Sequence, residues 1–179
     1  MSLFSEIEPS TYKEVVQNLY WIEAMKTEIG ALNLNRTWYI VVTLSNVKPI
    51  GCKWVYKIKR RVDGSIECYK AWLVAKGFSQ IEGIDNYMET FSPVAKMTTI
   101  HIVLALASVN RWHLEQLDIN NAFLHEDLTK DVYMTIPLGI RGYSSSHCCK
   151  LQKSLYGLKQ ASRCWYEKLS LLLLQCGYQ

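Results

Sequence analysis

The chain has 179 residues, 49% of them hydrophobic and 20% charged, which excludes a disordered tail and is long enough for one domain with a sizeable core. Its net charge is only +4, yet Lys53, Lys57, Lys59, Arg60, Arg61, Lys70 and Lys76 bunch together, and Lys150, Lys153, Lys159 and Arg163 form a second group. Such patches are either solvated faces or contacts for a polyanion.

Thr11 to Leu32 reads as a helix, with Ser10 or Thr11 as cap and Val15, Leu19, Ile22, Met25, Ile29 and Leu32 recurring at three- and four-residue steps. The opening residues before it are acidic and lack an apolar core, which argues against a secretion signal. Trp38 to Leu44 is β-branched and aromatic and predicts a short strand ended by the turn Lys48-Pro49-Ile50-Gly51.

The clearest local signal is a hairpin in which Trp54 to Lys59 and Ile66 to Val74 flank Val62-Asp63-Gly64-Ser65. Alternation places Lys53, Val55, Lys57 and Lys59 on one face and Trp54, Tyr56 and Ile58 on the other. Gly77 to Pro93 reads as a loop, and Thr98 to Asn110 as a buried helix. His113 to Ile119 alternates as a short strand that carries Asp118 at its carboxyl end.

Val132 to Met134 predicts another brief strand, Pro137 to Ser146 a loop, and Ala161 to about Gln175 a helix. Within that helix the apolar run Leu169 to Leu174, broken by Ser170, is far shorter than the ~20 residues of a membrane span and reads as buried. The six cysteines include no CxxC pair. They are expected to be reduced, intracellular thiols, whether cytoplasmic, nuclear or organellar. His147-Cys148-Cys149 lacks a second ligand pair at zinc-like spacing. The elements together predict an α+β class with packed helices and a mixed or antiparallel sheet.

Several ordered motifs then become recognisable: Trp21-Ile22-Glu23-Ala24-Met25, Asn35-Arg36-Thr37-Trp38, Gly51-Cys52-Lys53-Trp54-Val55-Tyr56-Lys57, Leu73-Val74-Ala75-Lys76-Gly77-Phe78 and Glu89-Thr90-Phe91-Ser92-Pro93-Val94. Gln116-Leu117-Asp118-Ile119-Asn120-Asn121-Ala122-Phe123-Leu124 and Lys153-Ser154-Leu155-Tyr156-Gly157-Leu158-Lys159-Gln160 follow. Along nearly its whole length the chain resembles the reverse-transcriptase domain of copia-type LTR retrotransposons.

That resemblance implies a fingers and partial-palm fold in one partial domain. Residues 1–35 would be a helical lead-in, 36–110 fingers-like, and 111–179 a partial palm returning to the fingers. It implies template-directed deoxynucleotide addition in which two magnesium ions serve the reaction, with Asp118 as catalytic residue and metal ligand. Without it, a lone Asp at a strand end is a turn or cap residue.

The resemblance further implies nucleotide contacts from Lys57, Lys59, Lys76, Ile119, Phe123 and Tyr156, with Phe123 beneath the sugar excluding a 2′-hydroxyl. Gly157, Lys159 and Arg163 would contact template–primer. The bland alternatives stay open: a solvated edge hairpin for the lysines, a core residue for Phe123, and a tight turn for Gly157. The partners implied are an RNA or DNA template–primer and deoxynucleoside triphosphates, with no membrane.

The family's aromatic-x-Asp-Asp turn does not occur in these residues, so the chain alone is expected not to polymerise. Trp72, His101 and Glu126 stand where the family usually has arginine, arginine and glycine, and Gly83 to Tyr87 holds one extra residue. Tryptophan at position 72 cannot replace a bidentate guanidinium. A non-catalytic nucleic-acid-binding protein and a degenerate transposon relic are the competing expectations.

Overall fold

The computed structural model describes residues 7–80, 95–116, 119, 122–125 and 127–178, with backbone alone at 124, 125, 129 and 130. The expected amino-terminal helix is two helices. Thr11 caps α1 (Tyr12–Val15), and Glu14 answers it, its carboxylate accepting from the Thr11 hydroxyl at 2.6 Å and the Ser10 amide at 2.9 Å. This is a capping box displaced by one residue. Asn18 then starts α2 (Leu19–Leu34) anew, its side-chain oxygen accepting from the Tyr20 amide at 2.9 Å. The helical period continued through the break, but a second cap lies inside it.

β1 (Trp38–Val42), β5 (His147–Lys153) and β4 (Asp127–Thr135) form an antiparallel sheet in that order. β2 (Cys52–Arg60) and β3 (Ile66–Ala75) form a separate antiparallel hairpin. The hairpin turn follows its sequence signal: Gly64 has φ +84°, and Asp63 Oδ1 accepts from the amide and hydroxyl of Ser65 at 2.9 and 2.6 Å. The expected alternation holds, since Tyr56 and Ile58 are buried whereas Lys53, Val55, Lys57 and Lys59 are exposed.

Two apolar clusters hold these parts together. In the first, Val15, Trp21 and Met25 of α1 and α2 pack on Tyr56, Ile58 and Ala71 of the hairpin, with Trp21 edge-on to Tyr56 and Tyr69. The second joins Leu32 and Leu73 to Val132, Met134, Cys149, Leu151 and Leu155. It fastens the hairpin's base to the three-stranded sheet. The β4–β5 rim adds cross-strand ion pairs, Lys153–Asp127 at 2.9 Å and Lys150–Asp131 at 2.8 Å.

β5, a stretch to which the sequence reading gave no element, is the central strand of its sheet, and three further expectations need correction. Adjacent Cys148 and Cys149, which point to opposite faces, are both buried, as is Leu151, and this erases the period-two pattern of a half-exposed strand. The strand expected over His113–Ile119 is absent among the described 113–116, while Leu117 and Asp118 lie outside the described residues. The other two corrections concern helices.

Helix α3 (Met97–Val109) forms as expected but is not buried: Leu106 is 50% exposed and Val109 81%. Apolar residues surround its whole circumference, and only Ala107 is covered by described residues. In α4 (Ala161–Gln175) Ala161 is buried at the start, but Leu171 to Leu174 are exposed. The loop expected over Gly77–Pro93 begins with a 3-10 turn (Gly77–Ser79), and its residues 81–94 lie outside the described set. Among the described residues, no helix is long and apolar enough to cross a membrane.

Candidate active site

Hairpin register decides which side chains share a face. Lys57 pairs with Lys70 and Val55 with Trp72, so Lys70 and Trp72 stand on the same outward face as Lys57 and Lys59. Two lysines directly opposite repel each other. Lys57 is countered by Glu8 at 3.3 Å. The Glu8 carboxyl is held below its ordinary value, first by accepting the Ile58 amide at 3.0 Å and then by Lys57 itself.

At the β3 edge of the hairpin lies a cavity of about 260 Å³. Glu28 of α2, Lys59 of β2, Lys70 and Trp72 of β3, Ile119 and Tyr156 wall it. Phe123, in a 3-10 turn (Ala122–His125), meets the Tyr156 ring edge-on at 4.8 Å and packs against the larger core. Three of the expected nucleotide residues, Lys59, Ile119 and Tyr156, therefore share one cavity, with Phe123 one ring behind.

Lys57 and Lys76 are not among that cavity's walls. Lys57 lies on the same strand face, paired with Glu8. Lys76 is half-buried at the end of β3, and its stem lies against Gly51. Asp118 falls outside the described residues.

The residues expected to contact template–primer sit at the junction of hairpin and sheet. Gly157, at φ +88°, is approached by Val74 and by the Ala75 carbonyl on the side where a Cβ would stand. Lys159 donates through its backbone to Gln80 Oε1 and through Nζ to the Gln80 carbonyl, both at 3.0 Å. Arg163 Nε donates to Glu167 at 2.7 Å, one helical turn along α4. Backbone contact at Gly157 is thus made by the chain's own β3.

Sequence reasoning did not single out Glu28 or Tyr69 as cavity residues. The register of the hairpin carried the signal for β3, because the partner of a lysine-bearing face is fixed once the turn is placed. Nothing local marks Glu28. Its carboxyl is half-buried and accepts from the Leu73 amide at 3.3 Å. Burial pushes its pKa up, and the Leu73 bond and Lys70 charge partly offset that rise.

Glu28 is the only carboxylate among the cavity's described walls, and one of its oxygens is engaged by backbone. Among the described residues no three His, Cys, Asp or Glu side chains come together as a metal centre, His147 and the adjoining cysteines included. These residues do not by themselves fit a two-magnesium centre.

Residues 35–179 match the family profile for reverse transcriptase (RNA-dependent DNA polymerase). The chain is 48% identical, over 99% of its length, to the Retrovirus-related Pol polyprotein from transposon RE1 of Arabidopsis thaliana. It is 46% identical over 96% of its length to that from transposon TNT 1-94 of Nicotiana tabacum. To the Transposon Ty1-H Gag-Pol polyprotein of Saccharomyces cerevisiae it is 31% identical over 96%. The chain spans 12%, 13% and 10% of these three relatives' lengths. No solved structure matches it. Its mixed helices and antiparallel sheets are consistent with such a domain, and the chain belongs to the reverse transcriptase (RNA-dependent DNA polymerase) family, in the form carried by copia-type retrotransposon Pol polyproteins.

Proposed function

We propose that this chain is the nucleotide-entry part of an RNA-directed DNA polymerase, with residues 36–110, the β2–β3 hairpin among them, as fingers and residues 111–179 as a partial palm returning to the fingers. One observation carries the reading: Lys59, Lys70, Trp72, Ile119 and Tyr156 converge on a single cavity. Its cationic side would receive a triphosphate, and its aromatic and apolar side a sugar and base. Phe123, braced behind Tyr156, would hold the floor against a 2′-hydroxyl.

Asp118 directly precedes Ile119 of the cavity wall, and in this reading it is the first magnesium ligand. Magnesium, when bound, would supply charge neutralisation at the phosphates and activation of the primer hydroxyl. The further carboxylates that two ions require are not supplied by the described residues. The 179-residue chain alone should therefore take up a triphosphate without extending a primer. Gly157, Lys159 and Arg163 would border the template–primer path.

Titrating the chain with dTTP and magnesium, read by tryptophan fluorescence, tests this. Saturable binding that weakens about tenfold in Lys59→Ala and Lys70→Ala is expected. Unchanged affinity in both variants would refute the site. A non-catalytic nucleic-acid-binding role is favoured by the like-charged Lys57–Lys70 pair on the exposed hairpin face. Template–primer binding that falls steeply with salt, without any triphosphate binding, would select that role instead.

A further inference from the structure

Along β3, alternate backbone amides point away from β2, and toward its carboxyl end three in succession find partners elsewhere. Gly77, just past the strand, donates to the Gly157 carbonyl at 3.1 Å and Ala75 to the Tyr156 carbonyl at 2.8 Å. Leu73 donates to Glu28 Oε1 at 3.3 Å. Backbone cover thus gives way to a side chain at Leu73, next to the stretch, Tyr69 to Trp72, that walls the cavity. Left without that partner, the strand edge would be free to twist or open just where it presents Lys70 and Trp72.

The other end of this tie is firm. Glu28 lies on α2, which is pinned by Trp21 and Met25 in one core cluster and Leu32 in the other. Its anchor is therefore set by two cores, 45 residues away in sequence from the amide it holds. We propose that Glu28 is a positioning residue of the triphosphate cleft: by accepting the Leu73 amide it fixes the β3 segment that presents Lys70 and Trp72. This role rests on the triphosphate reading of the cavity.

The test uses Glu28→Gln, which keeps an acceptor oxygen at the same reach, and Glu28→Asp, which keeps the charge but shortens the reach by one methylene. Glu28→Ala removes both. Two quantities are read for each: hydrogen exchange at the Leu73 amide, and affinity for dTTP with magnesium by tryptophan fluorescence. In Glu28→Asp and Glu28→Ala, exchange should quicken and affinity fall, each by about tenfold. Glu28→Gln should stay within about twofold of the parent in both.

If the parent binds dTTP and Glu28→Asp binds equally well, the positioning role is overturned and the cavity reading stands. Glu28→Gln failing as badly as Glu28→Ala also overturns it, because charge and not the acceptor would then matter. If the parent does not bind dTTP, the cavity reading itself falls and carries this proposal with it. Glu28→Asp keeps the proposal falsifiable should Glu28→Ala not fold.

Discussion

The amide of Gly77 donates to the carbonyl of Gly157 at 3.1 Å, and where side chains would begin Gly77 has the Gly157 backbone and Gly157 has that of Ala75. This contact joins the end of the hairpin to the turn that follows β5. Buried Gln80 locks it from outside by holding Lys159 and Gln160.

A methyl group at either position must push this junction apart. Gly157→Ala would place its Cβ against the Ala75 carbonyl at a positive φ, and Gly77→Ala would place one against the Gly157 carbonyl. Each is expected to lower unfolding free energy by about 2 kcal/mol or more in urea denaturation. Gly64→Ala, also at positive φ but with open space around it, should cost only about 1 kcal/mol. Equal losses at Gly157 and Gly64, which share a positive φ, would mean that backbone strain and not the junction dominates at Gly157.

Thr37 and Ser154 bury their hydroxyls without a hydrogen-bond partner among the described residues. An unpaired buried hydroxyl costs on the order of 1–3 kcal/mol. Ser154→Ala is therefore expected to leave the chain equally stable or to stabilise it by roughly 1 kcal/mol in thermal or urea unfolding. Most truncations of fully buried side chains do the reverse.

Burial, with the nearby Cys52 and Cys148 thiols, pushes the Cys149 thiol from its ordinary 9.0 up to about 12. The folded chain thus keeps a proton that the unfolded chain releases. That contribution to stability is complete below pH 9 and is lost as pH rises toward about 12. Urea midpoints should fall through this window, and less steeply in Cys149→Ala. At neutral pH iodoacetamide should label exposed Cys176 well before Cys149, with mass spectrometry of the peptides as the readout.

The hairpin was the most legible element because its information is local: Asp63-Gly64 sets the turn, and alternation then assigns every face. β5 was hidden for the opposite reason, since a central strand is defined by partners distant in sequence. The break at Asn18 was masked by a helical period that runs through it, although the second capping side chain stood in the sequence. Lys59, Ile119, Phe123 and Tyr156 were named from the family motif, and three of them share the cavity. Glu28 was not legible, because its role depends on the edge of a strand 45 residues away.

The outward apolar surfaces of α3 and α4 give salt two opposing effects on this polypeptide. In the proposed reading, ionic strength that strips phosphate from the lysines of the hairpin also sharpens the tendency of Leu106, Val109 and Leu174 to leave water. Under that proposal ammonium sulfate should release bound nucleic acid and promote clumping in the same titration, and light scattering alongside absorbance at 260 nm would record the crossing. Replacing Val109 and Leu174 by lysine should suppress the clumping alone.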